Sequence, residues 1–197
     1  MLSSNEINLI KDILNNNGVI AIPTDTVWGL ACLPDKITAV KKIYNLKGRN
    51  EKKPLILMSS DVKYLIPYIK NISPSLGKIC SKYFPGQLTV ITQKSNLTQK
   101  FITSEMDTVG IRVPDHSIFA EIAEKCAKTK VLATTSANIS GFSPALNKQE
   151  VQDYFGDKID YIVDDFGFNA KGTASTVIKV DINDFKVLRQ GLIKIGW

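Results

Sequence analysis

The chain has 197 residues, 44% hydrophobic and 22% charged, which suits one globular domain and excludes a disordered tail, a collagenous chain or a coiled-coil rod. Lys and Arg number 25 against 19 Asp and Glu, and the excess is lopsided: residues 1–100 carry 14 basic and 6 acidic side chains, residues 101–197 carry 11 and 13. That asymmetry fits a positive face for an anionic partner such as a nucleotide or RNA; no apolar run approaches the roughly 20 residues that span a bilayer, and three scattered cysteines with one histidine argue against a disulfide framework or zinc site.

In chain order, Ser3-x-x-Glu6 is a capping box opening a helix with Ile7, Ile10, Ile13 and Leu14 on one face, ended by Gly18. The charges within this first stretch exclude a signal peptide, and a cytoplasmic location is expected. Val19–Ile22 is a short apolar strand. Asp35 is expected to cap a second helix, with Ile37, Val40 and Tyr44 at helical spacing and Gly48 as its stop. Leu55–Met58 reads as a buried strand, and Asp61 as the start of a helix carrying Val62, Leu65, Ile66 and Ile69. Ser73-Pro74 supplies an N-cap and a proline at the first helical position, leading Leu76, Ile79, Cys80 and Tyr83. Beyond Pro85-Gly86, strands are expected at Leu88–Thr92 and Val109–Val113, a helix at Ile118–Cys126, and a strand at Val131–Thr134. Asn147 and Glu150 open a helix bearing Val151, Tyr154 and Phe155; Tyr161–Val163, Thr176–Val180 and Phe185–Leu188 read as strands. This irregular order predicts an α/β domain on a mixed sheet, with residues 1–197 as one unit.

Five polar stretches can carry chemistry. Residues 23–30, PTDTVWGL, follow the first strand and offer two hydroxyls, a carboxylate and an aromatic ring, enough to line a small pocket or to make a hydrogen-bonded turn. Lys47-Gly48-Arg49 sets two cations about one flexible residue, able to converge on a polyphosphate or to answer a helix dipole. Arg112 alternates with Ile111 and Val113 in an apolar strand, so it must be paired internally or face a ligand such as a carboxylate. Residues 134–141, TTSANISG, are small and polar, as a loop that meets phosphate oxygens must be. Residues 167–176, GFNAKGTAST, have the glycine spacing of a P-loop, but Thr173 stands where lysine is required and a strand follows, so a P-loop is rejected. His116 reads as a helix-start residue.

Together these stretches resemble one family. PTDTVWGL, K-x-R at Lys47 and Arg49 with Pro54-Leu55 following, FPG at 84–86, VGIRVP at 109–114, TSAN-x-SG at 135–141, STV at 175–177 and LR-x-G at 188–191 are similar, in that order, to the motifs of the YrdC-like threonylcarbamoyl-adenylate synthases. The resemblance spans about residues 18 to 192. It implies a twisted mixed β-sheet flanked by helices, with a concave basic face, and an enzyme that condenses L-threonine, bicarbonate (or CO2) and ATP into threonylcarbamoyl-AMP and pyrophosphate. A downstream transferase complex would pass the threonylcarbamoyl group to adenosine 37 of tRNAs reading codons that begin with A, and direct contact with tRNA is possible in such a family. Because the chain stops at Trp197, soon after LRQGLI, it resembles the short, single-domain form.

The resemblance also implies roles. Lys47 and Arg49 would grip the ATP phosphates and stabilise charge on the leaving pyrophosphate, with Ser136 and Asn138 on the ATP side and Arg189 as a further nucleotide contact. Arg112 would clamp the threonine carboxylate, and Thr26 and Ser175 would place the rest of the amino acid. Mg2+ is expected to arrive with ATP, since the chain offers no evident metal cage. Three residues depart from the family's pattern: Asn50 replaces a common proline, Met58 a common histidine, and Asp25 a commoner glutamate. Two other readings remain at this point, a carbamoyl-adenylate-forming relative and a non-catalytic RNA-binding module, the latter poorly matched by 8% aromatic residues.

Overall fold

The computed structural model describes residues 1–168 and 170–196. Asn169, in the fifth polar stretch, and Trp197 lie outside the described residues. Helix α1 (Ser4–Asn15) begins with the expected capping box: the Ser3 hydroxyl accepts from the Glu6 amide, and the Glu6 carboxylate accepts from the Ser3 amide. Then follow β1 (Ile20–Ile22), β2 (Gly29–Cys32), α2 (Ile37–Lys47), β3 (Ile56–Ser59), α3 (Val62–Leu65), α4 (Pro74–Tyr83), β4 (Leu88–Gln93), α5 (Lys100–Thr103) and β5 (Thr108–Arg112). The rest is α6 (Ser117–Cys126), β6 (Val131–Ser136), α7 (Lys148–Phe155), β7 (Tyr161–Ile162), β8 (Thr176–Val180) and β9 (Phe185–Arg189).

Most elements stand where the sequence puts them, and the differences have physical reasons. Strand β2 escapes a period-two reading because all four of its residues are buried. The single turn of α5 is too short to leave a periodic signal. Asp35 does not cap α2; the N-cap is Lys36, which makes no side-chain capping bond. Asp61 does cap α3 by accepting from the Lys63 amide, but the regular helix stops at Leu65 and a 3-10 turn covers Ile66–Tyr68. Pro67 accounts for the stop, since it has no N–H to continue the ladder. Gly48 ends α2 in the left-handed region, φ 53°, and lets the Arg49 amide reach back to the Tyr44 carbonyl at 3.0 Å.

The described strands form one nine-stranded mixed sheet in the order β7-β1-β2-β6-β3-β5-β4-β8-β9. Pairs β1/β7, β3/β5 and β4/β8 are parallel and the others antiparallel. The two faces are clothed unequally. Leu30 and Cys32 of β2, Leu57 of β3, Val109 and Ile111 of β5 and Ala133 of β6 pack on one side, in a core shared with α2, α3, α4, α5 and α7. Ile20 and Ile22 of β1, Met58 of β3 and Leu132 of β6 point to the other side, into a smaller core built on α1 and α6. These two helices reach β1, β3 and β6, so the second face of β5, β4 and β8 lies outside that smaller core.

Strand β5 must approach β3 closely, and Gly110 is where it does. A Cβ placed there would stand 2.6 Å from Cγ2 of Ile56, so Gly110→Ala is expected to lower stability by about 1–3 kcal/mol through overpacking, read as a lower thermal midpoint.

Candidate active site

The less covered face of the sheet holds a cavity of about 290 Å³, at the low end of the roughly 300–1,000 Å³ usual for small-molecule sites. Its lining follows the alternation of the strands: Ile56 and Met58 from β3, Thr108, Gly110 and Arg112 from β5, Thr89 and Ile91 from β4, and Thr134 and Ser136 from β6. Six of the eight residues proposed from the sequence line it: Thr26, Arg49, Arg112, Ser136, Ser175 and Arg189. The lining contains three arginines and no carboxylate. Lys47 and Asn138 are not in the lining, though both touch Ser136.

Arg112 is 3% exposed and makes an internal ion pair: its Nη2 donates to Asp25 Oδ1 at 2.5 Å. Its Nη1 donates to Thr26 Oγ1 at 2.9 Å, and its Nε to the Gly86 carbonyl at 3.1 Å. These bonds account for three of its five N–H groups, and they tie the first polar stretch and the FPG segment to the end of β5. The FPG segment is joined to β5 a second time, by the Gly86 amide donating to the Val113 carbonyl at 2.8 Å. Burial draws the Arg112 guanidinium below its ordinary pKa, and the nearby Asp25 opposes that pull.

At the opposite wall, Arg49 donates from Nη1 to Thr135 Oγ1 at 2.6 Å and from Nη2 to the Pro54 carbonyl at 3.0 Å. Its Nε is buried without a hydrogen-bond partner among the described residues, and so is Trp28 Nε1, on another lining residue. Lys47 is only 1% exposed, and its Nζ donates to the carbonyls of Ser136 and Asn138 (2.8 Å for the latter) and to Asn138 Oδ1 at 3.0 Å. Burial, with the Arg49 charge adding to it, pulls its ammonium down to about 7.

A third wall joins two distant motifs. Arg189 wraps Ser175, donating from Nε and Nη2 to its carbonyl at 3.1 and 2.9 Å and from Nη2 to its hydroxyl at 3.2 Å. The Ser175 hydroxyl also pairs with Thr89 Oγ1 at 2.8 Å. Thr89 escapes a reading of polar loops because it sits inside a strand; the alternation of Thr89 and Ile91 along β4 is the signal that could have placed it on the cavity face. Of the three departures, Met58 lines the cavity and Asp25 holds Arg112, whereas Asn50 is exposed and its Oδ1 accepts from the Lys52 amide at 2.8 Å. His116 caps α6, its Nδ1 accepting from the Phe119 amide at 3.5 Å, as a helix-start residue should. Among the described residues no group of three or more His, Cys, Asp or Glu could hold a metal ion, and no helix is long and apolar enough to cross a membrane.

Comparison with known proteins gives a consistent picture. A family model named Sua5_yciO_yrdC, described as telomere recombination, matches residues 12–191. The threonylcarbamoyl-AMP synthase of Enterobacter sp. (strain 638) is 35% identical over 158 residues, 79% of this chain and 82% of that protein. The crystal structure of P. abyssi Sua5 complexed with L-threonine is similar at a TM-score of 0.86 and 31% identity, covering 97% of this chain and 55% of that one. The chain therefore spans little more than half the length of that Sua5. The crystal structure of E. coli YciO has the same fold at a TM-score of 0.85 and 22% identity, with 98% of this chain and 92% of that chain covered.

Removing the carboxylate that faces Arg112 leaves a buried cation with weakened compensation. Asp25→Ala is expected to cost about 3–5 kcal/mol of stability, measured by denaturant unfolding in the absence of any ligand.

Proposed function

Since the chain belongs to the Sua5/YciO/YrdC family, we propose that it is a threonylcarbamoyl-AMP synthase, joining L-threonine, bicarbonate or CO2 and ATP. The observation that carries this reading is the convergence of Thr26, Arg49, Arg112, Ser136, Ser175 and Arg189, drawn from six separate stretches, on one cavity with three arginines and no carboxylate. ATP and bicarbonate are anionic and threonine carries a carboxylate, so a cationic pocket is what brings them together.

In this reading the threonine amine adds to CO2, or to bicarbonate with loss of water, and forms a carbamate. A carbamate oxygen then attacks the α-phosphorus of ATP, an O–P bond forms, and the bond to the β-phosphate oxygen breaks to release pyrophosphate. Arg49 and Arg189 meet the phosphates and stabilise the charge passing to pyrophosphate. The two Arg112 N–H groups not engaged by Asp25, Thr26 and Gly86 receive the threonine carboxylate, with Thr26 and Ser175 beside it. Ser136 lies on the ATP side, with Lys47 and Asn138 behind it. Mg2+ comes with the nucleotide as part of the substrate. No protein nucleophile is needed, and catalysis is positioning and electrostatics. The product goes to a transferase complex that modifies tRNA, a possible direct ligand, and residues 1–197 act as one YrdC-like domain.

Pyrophosphate release from ATP should require both threonine and bicarbonate; release that proceeds without either one sinks the proposal. Arg49→Ala should lower that turnover by at least about 10²-fold, the scale of losing one preorganised donor to a developing charge, while the ligand-free melting temperature moves little.

A further inference from the structure

An ammonium group has three N–H donors and no more. In the protonated form of Lys47 all three are engaged: one by the Ser136 carbonyl, one by the Asn138 carbonyl and one by Asn138 Oδ1. The side chain is almost fully buried and does not line the cavity. Its backbone joins the same loop, because the Lys47 carbonyl accepts from the Ser140 amide at 2.8 Å. Asn138 continues the chain of contacts. Its Oδ1 accepts from the Ser136 hydroxyl at 2.6 Å, and its Nδ2 donates to the carbonyls of Ile139 and Phe142, both at 2.9 Å.

From these contacts we infer that Lys47 is a positioning residue: its ammonium staples the end of α2 to residues 136–140 and thereby aims the Ser136 hydroxyl and shapes the loop beside the cavity, without itself touching the nucleotide. This rests on the synthase reading for what the loop serves, but the contacts themselves do not depend on it. For Lys47 to reach a phosphate, at least one of these three bonds would have to break; the Ser136 and Asn138 carbonyls would each lose a charged donor, whereas Asn138 Oδ1 would keep the Ser136 hydroxyl. Arg49, two residues on, is different. It lines the cavity and keeps a buried Nε–H without a partner, so the two cations of the K-x-R motif divide the work: one holds the loop and the other meets the ligand.

The test uses Lys47→Met, which removes every donor, and Lys47→Gln, which restores two N–H donors but no charge. Amide hydrogen exchange at Ser140, read without nucleotide, should speed up at least about tenfold in Lys47→Met, as loss of a local staple opens the loop, and recover in part in Lys47→Gln. Turnover should fall by about 10²-fold in Lys47→Met, the scale of a small misplacement of reacting groups, and recover in part in Lys47→Gln. The ATP dissociation constant should stay within about threefold of wild type in both, in contrast to Arg49→Ala, since most of the binding energy of the site is untouched. Unchanged exchange at Ser140, or a loss of ATP affinity in Lys47→Gln as large as in Arg49→Ala, overturns the inference. If Lys47→Met does not fold, Lys47→Gln alone decides it by the same readings. If the wild type shows no threonine-dependent turnover, the synthase reading fails while the exchange measurement still decides whether Lys47 is the staple.

Discussion

The unequal clothing of the two sheet faces is the constraint on which the site depends. A β-strand sends successive side chains to opposite sides, so a strand buried on one face must present its other residues somewhere. Strand β5 sends Val109 and Ile111 into the larger core and leaves Thr108, Gly110 and Arg112 facing the cavity. Strands β3 and β6 behave alike near their ends, with Ile56 and Met58, and with Thr134 and Ser136. The cavity is the part of the sheet surface that α1 and α6 leave uncovered. Its floor is therefore held by the sheet ladder itself, while its walls are loops free to carry polar groups.

Those walls are held by buried charge. Arg112 and Lys47 each end in a set of oxygen acceptors rather than in water, and each ties an irregular segment to a regular element: residues 25 and 26 to β5, and the end of β6 with the loop that follows it to α2. Taking such cations out of water is expensive, and the hydrogen bonds that each side chain makes offset that cost. Hydrophobic pairs could pin the same loops, but they would not leave N–H groups near the cavity. Buried cations give both attachment and a positive potential at the same spot.

Much of this was legible in the sequence, and the limits follow from what each signal reports. Hydrophobic periodicity located α1, α4, α6 and α7 because each buries one stripe, and the caps Ser3, Ser73 and Asn147 marked the starts of α1, α4 and α7. Strand β2 was hidden by burial on both sides, and the helix after Asp61 was overdrawn because the apolar spacing continues to Ile69 past a proline. For the site, the polar stretches contained Thr26, Arg49, Arg112, Ser136 and Ser175, and the family resemblance added Arg189, yet spacing could not tell a cation that reaches a ligand from one that holds a loop. Lys47 and Arg49 look equivalent in K-x-R; only the turn at Gly48 and the depth of burial separate them. Thr89 was missed since a threonine within a strand is ordinary until the strand's exposed face is known.

The separations along the chain of the contacts that close the cavity have a consequence for how the protein is born. Thr26 with Arg112, Arg49 with Thr135 and Thr89 with Ser175 are each 86 residues apart, and Lys47 with Asn138 is 91. Long closures of this kind slow folding, because ordering must precede the contacts that reward it. On a ribosome adding about 5–20 residues per second, each of these groups waits roughly 4 to 18 seconds for its partner to be made. During that time Asp25, Arg49 and Lys47 stay in water, where charge keeps a nascent chain soluble, and the apolar strands beside them have only local neighbours. The last wall, Ser175 against Arg189, closes within 14 residues, so the cavity is finished by a short local step on a frame that took most of the chain to assemble.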